Sequence, residues 1–224
     1  MKLALRAAAF WLCGLLFVML VLFVPAGTLA YPGAWRLIAL LFIPMLLLGI
    51  ALYIKAPDLL QKRLQSRESQ GAQRQVITLS ALMFIVGFAL CGLDFRFGLT
   101  HVPGWLSTAA CVILLVSYAL YAEVMRENAY LSRTVEVQPG QKVIDTGMYG
   151  VVRHPMYAVT ILLFLSMPLV LGSLIGFAVF LVYPLLIVLR IRGEEALLTQ
   201  ELPGYRAYIQ KVKYRLIPFV WCCA

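Results

Sequence analysis

Charged side chains are scarce in this sequence: Asp, Glu, Lys and Arg make up 13% of its 224 residues, where soluble domains carry about 25%. Only 10 residues are acidic and 2 are histidine. So little polar surface cannot clothe a water-soluble globule, which excludes a cytosolic enzyme, a secreted module and a disordered tail. Other absences narrow the chemistry. There is no Gly-rich phosphate loop, no Ser/His/Asp arrangement and no Cys/His spacing that would hold a metal. The five cysteines are odd in number, and Cys13, Cys91 and Cys111 sit inside apolar runs as small hydrophobes, so no disulfide framework is expected. No internal repeat or low-complexity tract occurs, and His101 stands alone in a short loop.

What is present is apolar. The chain is 62% hydrophobic with a mean hydropathy of +0.90, which places it in a membrane. Crossing about 30 Å of hydrocarbon takes roughly 17–25 helical residues. Charge-free stretches of that kind are Ala7–Val24, Leu37–Ile54, Val76–Leu93 and Val102–Ala122. A further uncharged run, Pro155–Leu189, would be about 52 Å long as one helix. It therefore splits at Gly172–Ser173 into a hairpin of two spans, Met156–Leu171 and Leu174–Leu189. The fold expected is an all-α polytopic bundle of about six membrane helices, the last two forming a hairpin, followed by a C-terminal helical segment. Pro44 is expected to kink the second span. Lys2 and Arg6 before the first stretch, and Thr28 and Ala30 after it, resemble a signal peptide. Its 18-residue apolar core exceeds the roughly 7–15 of such signals, so a retained helix is favoured.

With a cytoplasmic N-terminus, only Arg36 and Arg96 of the 19 Lys and Arg fall in outer loops. The positive-inside rule then puts both termini in the cytoplasm. The chain divides into an N-terminal unit, residues 1–75, with two spans and a basic loop among the headgroups, and a core, residues 76–224, with the remaining spans and tail. Membrane lipids are the implied surroundings, and nucleic acid is not implied by the net charge of +9. No ionisable residue lies inside a span to line a transport pathway, which disfavours a transporter or channel.

Polar material gathers in Glu123–His154 and in the tail from Arg190 onward. The hairpin returns Arg153, His154 and Pro155 to the same face as Glu194 and Glu195. Pro155 suits a first helical turn. A helix start with free N–H groups, Arg153 and His154 outlines an anion site, opposite two carboxylates. Two readings stay open: a site for a zwitterionic ligand, or a structural clasp at the membrane rim. Tyr205 and Tyr208, three apart, share one helical face and would wall a flat heterocycle or stand in an aromatic belt.

Together these residues resemble the isoprenylcysteine carboxyl methyltransferase family, whose wider group includes membrane phospholipid N-methyltransferases. The resemblance rests on Gly147-Met148-Tyr149-Gly150-Val151-Val152-Arg153-His154-Pro155-Met156-Tyr157, then Glu194-Glu195, Pro203-Gly204-Tyr205 and Tyr208. Leu93-Asp94-Phe95-Arg96-Phe97-Gly98, Val102-Pro103 and Asn128 add to it, so it covers roughly residues 90–221. It implies methyl transfer from S-adenosylmethionine, without a metal, to a hydrophobic or lipid-like acceptor entering from the bilayer. It makes residues 76–224 the methyltransferase core, with the C-terminal segment over a cytoplasmic cofactor site. Gly147, Tyr149, Arg153, His154, Pro155, Tyr157, Glu194, Glu195, Tyr205 and Tyr208 are its implied cofactor residues, and Arg153, Lys211, Arg215 and Asn128 its implied catalytic set. The sequence departs from the family pattern at Met148, Ala158 and Lys211, where proline, glycine and arginine are usual. Because Lys cannot clamp a carboxylate bidentately, carboxyl recognition is the step left open. An acceptor carboxylate needs only a cation, whereas an amine or thiol needs a base, for which His154, Glu123 and Glu127 are the candidates. A phospholipid or small amine/thiol methyltransferase, and a non-catalytic membrane scaffold, are the alternatives. The oligomeric state is not legible, and Cys222 and Cys223 receive no role.

Overall fold

A computed structural model describes residues 2–64, 71–131 and 136–221; Cys222 and Cys223 lie outside the described residues. Among the described residues the secondary structure is helical: α1 Lys2–Ala26, α2 Pro32–Lys55, α3 Pro57–Arg63, α4 Gly71–Phe97, α5 Gly104–Glu127, α6 Pro155–Leu171, α7 Leu174–Phe180, α8 Val182–Glu201 and α9 Tyr205–Lys211. α1, α2, α4, α5 and the continuous α7–α8 stretch are long and apolar enough to cross a membrane, and α6 supplies a shorter apolar span. The chain is a multi-pass integral membrane protein.

Each boundary has a local cause. Pro32, Pro57 and Pro155 occupy first helical turns, where their missing N–H groups leave no bond unmade. Gly172 ends α6 with φ +87°, and the Ser173 hydroxyl then accepts from the Gly176 amide at 2.9 Å to cap α7. The expected hairpin turn therefore sits where the sequence places it. α2 runs through Pro44 without interruption. A one-residue turn at Leu181 separates α7 from α8 within one span, Leu174–Glu201, three residues before Pro184, which has no N–H to give the Phe180 carbonyl. α8 also continues past Leu189 to Glu201, carrying Arg190, Glu194 and Glu195 on the same rigid rod that crosses the membrane.

Packing is closest where glycine removes a Cβ. One added at Gly92 would lie 2.6 Å from the Leu22 carbonyl oxygen, and one at Gly33 would lie 2.8 Å from that of Leu171. These positions let α4 approach α1 and α2 approach the end of α6. Phe84, Phe88, Phe164, Phe180 and Tyr183 fill the space between α4, α6, α7 and α8 with edge and tilted ring contacts.

The end of the bundle away from the termini is tied by one buried carboxylate. Asp94 accepts from the Thr100 amide at 2.7 Å, from the Thr100 hydroxyl and from the Ser173 hydroxyl at 2.5 Å. Tyr31 bonds the Leu171 carbonyl at 2.8 Å beside it. This joins α4, the 98–103 loop and the α6–α7 turn. Asp94→Ala orphans the donors that face it and is expected to cost about 3 kcal/mol of unfolding free energy, read by denaturation in detergent. At the opposite end Arg6 reaches the Leu64 carbonyl at 3.2 Å, so the start of α1 lies with α3, the end of α5 and the tail.

Candidate functional site

The tail and the start of α6 are laid together by main-chain bonds. The Arg153 amide donates to Tyr214 O and the His154 amide to Arg215 O, each at 2.9 Å. The two amides that lead into α6 are thus taken by the tail's carbonyls. Glu195 sits inside this junction and is met by three side chains: Arg153 Nε at 2.7 Å and His154 Nε2 at 3.2 Å on Oε1, and Arg215 Nε at 2.8 Å on Oε2. Arg153 has no exposed side-chain surface and also bonds the Val212 carbonyl at 3.0 Å. Its charge is compensated where it lies, as a buried ion requires. Of the two readings open for the paired carboxylates, the clasp describes Glu195.

Glu194 turns the other way. It lines a cavity of about 760 Å³ and accepts from the Tyr157 hydroxyl at 2.5 Å, while Arg190 Nε donates to that hydroxyl at 2.9 Å. Asn128, Tyr149, Arg153, His154, Tyr205 and Tyr208 also line the wall. A short 3-10 turn, Gly147–Gly150, presents Tyr149; Gly147 has φ +53° and no room for a Cβ against Glu127. Asn128 Nδ2 donates to the Tyr149 hydroxyl at 3.1 Å, and the Tyr208 hydroxyl donates to the Tyr149 carbonyl at 2.7 Å. Burial pushes the Tyr149 phenol up to about 12 and those of Tyr205 and Tyr208 well above the ordinary value. All three stay neutral hydroxyls near pH 7. Tyr205 is distinctive: it is buried and its hydroxyl has no hydrogen-bond partner among the described residues.

The cavity continues into the bundle, where its wall becomes apolar: Leu41 and Met45 of α2, Phe84 and Phe88 of α4, Leu163 and Phe164 of α6 and Ile187 of α8. Phe17, Met45, Ala81 and Ile85 line it and are also exposed on the outer face of the bundle. The cavity therefore opens sideways between α1–α2 and α4, into the space lipid would occupy. One volume joins a polar chamber at the tail end to an apolar arm within the membrane.

Not every anticipated residue reaches this volume. Gly147, Pro155 and Glu195 stand behind the wall, and Lys211 and Arg215 are not part of it. Lys211 pairs with Asp145 at 2.6 Å with both side chains exposed, and this pair holds the Asp145 carboxyl below its ordinary value. Arg190, Tyr183, Tyr118, Tyr121 and Arg63 line the cavity and were not anticipated. A signal for Arg190 exists: Tyr183, Ile187, Arg190, Glu194 and Leu198 follow one helical stripe. It shows only once α8 is known to run past Leu189.

Residues 107–200 match the model of the isoprenylcysteine carboxyl methyltransferase (ICMT) family. The chain is 34% identical over 97 residues to the uncharacterized protein YpbQ of Bacillus subtilis, which covers 43% of this chain and 57% of that protein. It is 31% identical over 91 residues to a Delta(14)-sterol reductase of Mus musculus, covering 39% of this chain and 22% of the reductase. The chain thus spans little more than half of the first of these relatives and about a fifth of the second. Its fold is similar to the structure of a eukaryotic intramembrane Ras methyltransferase, an isoprenylcysteine carboxyl methyltransferase, with a TM-score of 0.55 and 18% identity over 91% of this chain and 74% of that one. The matched segment holds most of α5, all of α6 and α7 and nearly all of α8, the elements that carry Arg153, His154 and Glu195 and much of the polar wall, and over this segment the chain is similar to the isoprenylcysteine carboxyl methyltransferase family.

Proposed function

We propose that the protein is an integral-membrane methyltransferase of the isoprenylcysteine carboxyl type, taking S-adenosylmethionine at the polar chamber and a hydrophobic acceptor through the apolar arm. The observation that carries this reading is the single cavity with two unlike ends. A water-borne donor and a lipid-borne acceptor need opposite environments and one meeting point. In this reading the polar end faces the cytoplasm, in keeping with the basic residues gathered on that side.

The wall fits such a cofactor. Glu194 offers a carboxylate to a cationic group, Asn128 and Tyr149 offer polar contacts, and the buried Tyr205 hydroxyl lacks, among the described residues, a partner that a ligand would supply. Tyr157 and Tyr208 frame the chamber, while His154 and Arg153 reach its wall from the clasp. Gly147, Pro155 and Glu195 serve behind it, setting the turn, starting α6 and holding Arg153 in place. S-adenosylmethionine supplies a methyl group on a sulfonium, whose positive charge is lost as the methyl leaves. The chain's contribution is then position and dryness rather than acid or base: aromatic walls exclude water, and the clasp fixes both helices relative to the tail.

Tyr205→Phe separates this reading from a purely structural one. Removing an unpartnered buried hydroxyl is expected to leave the ligand-free unfolding temperature unchanged or slightly raised. The same change is expected to weaken S-adenosylhomocysteine binding about fivefold, equivalent to about 1 kcal/mol. Equal stabilisation of both proteins by the ligand, in thermal unfolding in detergent, contradicts the placement.

A further inference from the structure

The end of the tail takes no part in the cavity wall, yet it carries apolar surface turned outward. Phe219 is 85% exposed, the highest value for a large apolar side chain among the described residues, with Val220 at 73% and Ile217 at 55%. The turn that presents them is closed, because the Val220 amide donates to the Ile217 carbonyl at 3.3 Å across Pro218 and Phe219. It is also strained. Phe219 has φ +66°, the one non-glycine among the described residues in the left-handed region, at a turn position where glycine or asparagine is usual. Its ring meets that of Tyr214, with centres 5.1 Å apart, and otherwise faces outward. An aromatic held at the tip of a strained turn marks a contact surface.

The level of this surface in the membrane follows from its base. The His154 amide donates to Arg215 O, one residue before Pro155 opens both α6 and the uncharged run Pro155–Leu189. Arg215 Nε also meets Glu195, which lies about 9 Å past Leu189 along α8. Both helices therefore put Arg215 in the headgroup layer, just outside the hydrocarbon. From there the chain turns back toward the bundle: Leu216 and Trp221 pack against its core cluster, whose last member on α8 is Ile191. The Arg215 amide donates to the Trp221 carbonyl at 3.1 Å, and the guanidinium lies 4.9 Å from the centre of the Trp221 ring. The base is thus fixed, and the tip projects from it where headgroups meet acyl chains, beside Tyr214 and Trp221, residue types that favour that boundary. Lys213, exposed next to the base, suits a lipid phosphate.

We propose that residues 216–221 form a membrane-inserting finger: Ile217, Phe219 and Val220 enter the headgroup–acyl boundary of the leaflet at the polar end of the bundle, and their insertion holds Arg215 against Glu195. Apolar groups presented at this level bury about 5–10 Å into that boundary. The grip of the tail on the clasp is then shared between an ion pair and the bilayer, so lipid contact at the finger bears on the chamber whose helices the clasp joins to the tail. This assignment stands independently of which donor the chamber binds.

The test uses the full chain in phosphatidylcholine nanodiscs. Phe219→Trp adds one indole at the tip, and the difference from wild type isolates its emission. That emission is expected to be quenched more strongly by lipid brominated near the glycerol end of its acyl chains than by lipid brominated near the chain ends, while iodide in the buffer leaves it nearly unchanged. Quenching by iodide without quenching by either brominated lipid overturns the proposal and returns the tip to water, open to a soluble partner. A second experiment reads the coupling to the clasp. Ile217→Ser, Phe219→Ser and Val220→Ser combined are expected to speed trypsin cleavage after Lys213 and Arg215 about tenfold, because cleavage follows the population of released tail. Cleavage elsewhere in the chain is expected to keep its wild-type rate. An unchanged rate at the two tail sites overturns the coupling. Faster cleavage throughout the chain overturns it as well, since the three side chains then serve the fold as a whole.

Discussion

Glu195→Ala is expected to be the most damaging single substitution at the site, lowering unfolding free energy by about 3–5 kcal/mol. The reason is the company the carboxylate keeps. It lies among Arg153, His154 and Arg215, and Arg153 is wholly removed from solvent. Deleting the anion leaves a buried guanidinium uncompensated, a far larger penalty than the loss of a surface ion pair. The same carboxylate joins α8, the start of α6 and the tail, so the chamber is expected to lose ligand binding as well. Chemical denaturation in detergent reads the first effect and ligand-induced stabilisation the second. Glu194→Ala provides the contrast, because that side chain faces the cavity and its loss leaves no arginine stranded in the clasp. It is expected to weaken ligand binding with a much smaller change in stability. A wild-type unfolding midpoint in Glu195→Ala contradicts the clasp.

The second large effect concerns the apolar arm. Ala81 lines the cavity and is exposed on the outer face of α4, beside Ile77, Phe84 and Ile85. Ala81→Trp places an indole in the sideways opening without touching the polar chamber. Methyl transfer to a farnesyl-tailed carboxylate is expected to fall about 100-fold, equivalent to about 2.7 kcal/mol, while stabilisation by S-adenosylhomocysteine stays at the wild-type level. Transfer assays with labelled S-adenosylmethionine and thermal unfolding read the two separately. Loss of both, or of neither, contradicts a cavity with separate openings for donor and acceptor.

Much of the bundle is legible in the sequence because membrane helices leave a blunt signature: long uncharged runs bounded by charge, proline and glycine. The Gly172–Ser173 turn follows from length alone, since Pro155–Leu189 is too long for one crossing. The turn at Leu181 and the extension of α8 to Glu201 are less visible. A proline inside an apolar run carries the same signal at Pro44 and at Pro184, yet α2 runs through the first and a one-residue turn precedes the second. At the site, Arg153, His154, Glu194, Glu195, Tyr205 and Tyr208 are brought together as their spacing suggests. Sequence spacing does not separate Glu194 from Glu195, because adjacent helical residues point about 100° apart and only the packing of α8 shows which faces the clasp. Arg190 and Arg63 read in the sequence as cations flanking membrane spans. Their position on the cavity wall depends on how α3, α6 and α8 pack. Lys211 lies on the opposite side of that distinction: the motif brings it near the site, and the exposed Asp145 holds it outside the cavity.

The central claim is that the polar chamber binds the methyl donor, and thermal unfolding of the purified protein in detergent with and without S-adenosylmethionine and S-adenosylhomocysteine tests it most directly. A ligand at about 100 times its dissociation constant stabilises a folded protein by about 2.7 kcal/mol. The account predicts a shift of that order for both compounds, reduced in Glu194→Ala and in Tyr205→Phe. No shift in folded wild-type protein contradicts it and leaves the Glu195 junction as a structural clasp alone.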